Sequence, residues 1–107
     1  MKILWLSRHE PQKTQVDELK EVFGNVEIIQ ENKTIEDVKE IKRLMQEYNA
    51  DEVVAVLPIN LLGSLTELGI YPLRAVMERE VNEGSVEFKH KYFERIKGIK
   101  VDYERLK

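Results

Sequence analysis

Short apolar runs of strand length alternate with stretches of helical periodicity, and Pro and Gly mark the junctions between them. Ile3, Leu4, Trp5 and Leu6 form an unbroken apolar run, as expected of a strand covered on both faces in a parallel sheet. Pro11 suits the first turn of a helix. Val16, Leu19, Val22 and Phe23 then recur at helical spacing until Gly24 supplies a stop, so the spacing predicts a first helix over 11–23.

The same unit then repeats. Residues 26–30 read as a second strand, and Thr34 with Asp37 three positions on reads as the start of a second helix. That helix carries Ile35, Val38, Ile41, Leu44, Met45 and Tyr48 inward and ends at Asn49. Residues 52–57, rich in Val, form a third strand that runs into Pro58, and a third helix is predicted over 58–68 with a stop at Gly69. Residues 73–77 read as a fourth strand. A β-α-β-α-β-α-β order with short connections implies an α/β, Rossmann-like fold: a mainly parallel sheet with helices on both faces. Beyond Gly84, alternation at Val86, Phe88, His90 and Tyr92, a break at Lys97-Gly98, and alternation at Ile99, Val101 and Tyr103 predict a hairpin or extended arms, with a helical tail as the rival reading.

With 107 residues, one domain is expected, comprising a core over 1–83 and a C-terminal extension over 84–107. The net charge of −3 argues against a protein that coats duplex nucleic acid, although the stretch from Phe88 onward has seven Lys/Arg against three Asp/Glu. No cysteine is present, which excludes disulfides and thiolate metal sites. Together with the lack of any run long enough to span a membrane, this leads to the expectation of a soluble cytoplasmic protein. A charged fraction of 35% also fits the surface chemistry of heat-stable proteins.

In open parallel sheets, ligands sit outside the carboxyl ends of the strands, where loops converge and helix N-termini point. Ser7, Arg8 and His9 fall at that edge, followed by Gln12, Lys13, Thr14 and Gln15 around a helix start, and these groups suit a phosphate. The same residues also fit a plain surface in which Arg8 pairs with Glu10, Ser7 caps the helix and His9 is solvated. At the end of the third strand, Pro58, Asn60, Gly63, Ser64 and Thr66 offer polar groups and close backbone approach. The leucines beside them equally describe a core helix. Arg74, early in the fourth strand, must reach solvent, a carboxylate or an anionic ligand. His9 and His90 lie far apart without metal-ligand spacing, so neither metal nor cofactor is expected.

The segments "LSRHEPQ" and "EVVAVLPINLLGSLTELGIYPLRAVM", taken together in this order, resemble the small stand-alone ring nucleases associated with type III CRISPR systems. The matching positions are Ser7, Arg8, His9, Leu57, Pro58, Asn60 and Gly69. Glu10-Pro11-Gln12 stands where the family has a Pro-Gly step. The resemblance implies a CARF-like homodimer that binds cyclic oligoadenylate, tetra-adenylate above all, across its two-fold axis and linearises it, switching off an antiviral signal. His9 would then transfer protons and Arg8 would stabilise developing charge, while Ser7, Gln12, Lys13, Pro58, Asn60, Ser64 and Arg74 would bind and position. Sequestration of the ring without cleavage, a Rossmann-like interaction module and a nucleic-acid contact through the aromatic and basic arm are the alternative readings.

Overall fold

The computed structural model describes residues 1–99. Strands β1 (Lys2–Leu6), β2 (Glu27–Glu31), β3 (Glu52–Ala55), β4 (Leu73–Asn82) and β5 (Ser85–Arg95) form one sheet in the order β2-β1-β3-β4-β5. The first four strands run parallel, and β5 pairs antiparallel with β4. Helices α1 (Lys13–Phe23), α2 (Val38–Tyr48) and α3 (Ile59–Glu67) separate the parallel strands.

Side chains of successive strand residues point to opposite faces, so each apolar run feeds two cores. Leu4, Leu6, Val53 and Ala55 pack under α2 and α3 with Ile35, Val38, Ile41, Leu44 and Leu65. Ile3, Trp5, Val54 and Leu73 pack on the opposite face with Leu19 of α1 and with Phe93. Helices therefore cover both faces, and the α/β expectation holds for a mixed, mostly parallel sheet compatible with a Rossmann-like fold.

Several boundaries differ from the sequence reading. Helix α1 begins at Lys13, two residues after Pro11, with Gln12 as its N-cap residue. Its last turn leaves Val22 65% exposed, while Gln15, a polar residue, is buried. Helix α2 starts at Val38 instead of beside Thr34, because Asp37 Oδ1 accepts from the Lys39 N–H at 2.9 Å and so supplies the cap. Asn49 ends α2 in the left-handed region at φ 55°. Strand β3 stops at Ala55, and Val56 is 75% exposed at the sheet edge.

The largest difference lies in the last two strands. β4 runs to Asn82 instead of ending near Met77, and the extension expected from residue 84 begins as its hairpin partner, joined through Glu83 and Gly84. Only Leu73 of β4 pairs with β3, so the outer part of this hairpin projects as a two-stranded ribbon. Register shifts between Val76 and Met77: Val76 faces Tyr92 and Met77 faces His90, which makes Lys91 the extra residue of a bulge. The bulge breaks the alternation expected from Val86 through Tyr92 and brings His90 and Phe93 to the same face. Ile99 falls outside any strand, whereas Val101 and Tyr103, and most of the proposed helical tail, lie outside the described residues.

Glu18 and Arg95 dock the inner part of the hairpin. Glu18 of α1 accepts the Phe93 N–H at 2.7 Å and lies 3.2 Å from Nε2 of the His90 ring, whose side chain is 2% exposed. Arg95 spans to β3 by bonding both carboxylate oxygens of Glu52, at 2.8 and 3.0 Å, and also donates to the Tyr71 carbonyl. Its guanidinium is held above its ordinary pKa, first by the hydrogen bond to Glu52 and then by that carboxylate's charge, against the opposing effect of burial.

Candidate functional site at the carboxyl edge of the sheet

Parallel alignment of β1, β2 and β3 brings three loops to one edge: Ser7–Gln12 after β1, Asn32–Asp37 after β2, and Val56–Pro58 after β3. Two clefts open there. One, of about 320 Å³, lies on the α2/α3 side and is lined by Ser7, Arg8, Asn32, Lys33, Thr34 and Pro58 above an apolar base that includes Leu6 and Ile35. The other, of about 530 Å³, lies on the α1 side and is lined by Trp5, Ser7, His9, Gln12, Gln15, Met77 and Phe88, among others. Leu6, Ser7 and Val56 belong to both and form the ridge between them.

The β1 loop is held from both sides. Ser7 Oγ accepts from the His9 N–H at 3.1 Å, and the Ser7 carbonyl accepts from Gln30 Nε2 at 3.0 Å. The indole Nε1 of Trp5 reaches out of the core to donate to the His9 carbonyl at 2.9 Å. Ser7 thus braces its own loop instead of capping α1, while the side chains of Arg8 and His9 stay exposed. Among the described residues neither Arg8 nor Lys13 takes part in an ion pair, and Lys33 is bonded to Glu40. An unpaired guanidinium next to the N-terminus of α3 makes the smaller cleft suited to an anion.

The remaining candidates are spread more widely. Pro58 lines the smaller cleft, as do Leu57 and Leu61, but Asn60, the second residue of α3, lies outside it. The Ser64 hydroxyl donates to the Asn60 carbonyl at 3.0 Å within the helix. Lys13 opens α1 and lines neither cleft. Arg74 meets a carboxylate: its Nε donates to Glu94 Oε1 at 2.9 Å, and its Nη2 bonds the same oxygen, on the cross-strand partner. Among the described residues no three His, Asp or Glu side chains gather as a metal site would require.

Sequence reasoning missed Asn32, Lys33 and Thr34. The carboxyl-edge rule that singles out Ser7 applies equally to the loop after β2, but Thr34 followed by Asp37 reads in sequence as a helix cap. Trp5 and Met77 were also missed as site residues, and Gln15 and Phe88 were read as parts of two separate segments; the meeting of all four in one cleft depends on the hairpin folding back beside α1.

No protein-family model, no curated protein and no solved structure matches this chain. No helix among the described residues is long and apolar enough to cross a membrane.

Proposed function

We propose that this protein is a metal-independent ring nuclease that binds cyclic oligoadenylate, cyclic tetra-adenylate above all, and opens it. The observation that carries this reading is the pairing of two clefts across the Ser7 ridge, one presenting the unpaired Arg8 and the other presenting His9. A ribose-phosphate backbone laid across the ridge would set phosphate against Arg8 and its sugar near the imidazole.

In this reading the ribose 2'-oxygen attacks the adjacent 3'-phosphorus in line. The bond from phosphorus to the 5'-oxygen breaks, leaving a 2',3'-cyclic phosphate and a 5'-hydroxyl. The proton lost from the 2'-hydroxyl and the proton gained by the 5'-oxygen both pass through the imidazole of His9, which can accept a proton at one ring nitrogen and donate one from the other. Arg8 stabilises the added negative charge on the phosphoryl oxygens. The Trp5 and Ser7 bonds to the His9 backbone hold that loop in place before substrate arrives, which favours an aligned geometry.

A four-fold ring spans more than one such ridge, so the reading includes a CARF-like homodimer with two edges facing each other. Val56 and Ile59, 75% and 66% exposed beside the clefts, support this, because a second copy would cover them. The decisive experiment incubates labelled cyclic tetra-adenylate with the protein in EDTA and resolves the products. A linear product ending in a 2',3'-cyclic phosphate is expected. Binding without product would make the protein a sponge for the ring, and absence of binding would end the proposal.

A further inference from the structure

Gln15 is an anomaly in the larger cleft. It is 5% exposed, and its Oε1 accepts the Gln12 N–H at 2.8 Å, which orients the amide. Among the described residues the amide nitrogen on the other side meets only Met77 Sδ, at 3.7 Å. A thioether is a weak acceptor, so a buried amide donor at the cleft wall is left nearly unsatisfied.

The surroundings of that donor are flat and apolar. Trp5, Val54, Ala55, Ala75 and Met77 line the cleft, and Phe88, 60% exposed, projects at its mouth from the ribbon. Phe88 is held there through its backbone: Gln12 Nε2 lies 3.4 Å from the Phe88 carbonyl, and Gln12 Oε1 lies 3.4 Å from the His90 N–H. The loop that carries His9 therefore also places the aromatic ring. At about 530 Å³ the cleft falls within the usual size range for small-molecule sites.

We infer that this cleft is a nucleobase site, in which a purine-sized ring stacks on Phe88 and accepts a hydrogen bond from Gln15 Nε2. The inference rests on the reading above only in choosing a nucleobase over other flat nitrogen heterocycles. A purine ring nitrogen supplies the acceptor that Met77 supplies poorly, and its faces suit an exposed phenyl ring.

Trp5 is the chain's single tryptophan and lines the cleft, so its emission reports occupancy. The probes are adenosine 5'-monophosphate and guanosine 5'-monophosphate, with ribose 5-phosphate as the control that lacks a base. Saturable change in Trp5 fluorescence with a nucleotide, and much weaker response to ribose 5-phosphate, is expected. Phe88→Ala, at an exposed position that leaves the core intact, is expected to weaken nucleotide binding about tenfold through lost stacking. Gln15→Glu keeps the oxygen that accepts from Gln12 and deletes the N–H donor, with a loss of similar size, about tenfold.

Equal affinity for ribose 5-phosphate and the nucleotides, no response to any of them, or unchanged nucleotide affinity in Phe88→Ala would each overturn the inference. Failure to cleave cyclic tetra-adenylate would remove the ring-nuclease reading and leave this titration standing. Conversely, full ring affinity and turnover in both variants would remove the base site and leave the nuclease.

Discussion

Trp5 Nε1 donates to the carbonyl oxygen of His9 at 2.9 Å, so a core side chain of β1 holds the backbone of the loop that β1 feeds. The same indole packs edge-on against Phe93, with ring centroids 6.2 Å apart and an 87° angle between planes. One buried residue thus joins sheet, hairpin and loop. Trp5→Phe keeps an aromatic core but removes the donor, and is expected to cost about 1 kcal/mol from the hydrogen bond, more where the smaller ring leaves space. Urea unfolding followed by circular dichroism measures the loss; turnover of the ring should fall more than its affinity, because Arg8 is untouched.

Arg8 and His9 should separate by kinetics. His9→Ala is expected to lower turnover of cyclic tetra-adenylate by about 100-fold or more with little change in ring affinity, as removal of a proton-transfer group does. Arg8→Ala should weaken both. Equal turnover by wild type and His9→Ala, read by product separation under single-turnover conditions, would take His9 out of the chemistry.

The hairpin depends on Glu18. Its carboxylate accepts a backbone N–H at 2.7 Å and faces the buried His90 ring, whose Nδ1 has no partner among the described residues. Glu18→Ala is expected to cost about 2 kcal/mol, the scale of a charge-assisted hydrogen bond together with the polar groups left unpaired. Hydrogen exchange should show faster opening at Phe93, with α2 unaffected.

The Arg95–Glu52 pair is two-pronged but partly open to water: the Arg95 side chain is 34% exposed and that of Glu52 is 17% exposed. Screening therefore limits its contribution, and Glu52→Gln is expected to cost about 1 kcal/mol. The difference from wild type should shrink in high salt, as measured by denaturant midpoints.

Gly84 turns the hairpin at φ +75°, a conformation disfavoured for any residue with a Cβ, although a Cβ there would meet nothing within 4 Å. Gly84→Ala should therefore act through the backbone alone, costing about 1 kcal/mol. Thermal unfolding of the pair of proteins is sufficient to test this.

Much of the fold is legible from particular residues. The apolar run over 3–6 reads as a strand buried on two faces, as it is, and Gly24, Asn49 and Gly69 stand at helix ends with positive φ. The carboxyl-edge rule found Ser7, Arg8, His9 and Pro58. It did not find Lys33 and Thr34, because a hydroxyl three residues before an aspartate resembles a cap when the competing Asp37 cap is not weighed. Nor could periodicity extend β4 past Met77, since Glu78, Arg79 and Glu80 lie on a ribbon that no third strand flanks among the described residues.

Local pattern by itself determined the order of strands and helices and the edge at which polar loops gather, because spacing of apolar side chains and the backbone limits of Pro and Gly act over a few residues. Tertiary structure alone decided that β5 folds back on β4, that the Lys91 bulge turns His90 inward, and that Trp5, Gln15, Met77 and Phe88 enclose one cleft. Those arrangements bring together groups as far as 83 positions apart in the chain, and their energies depend on burial and pairing that arise only when α1 and the hairpin meet.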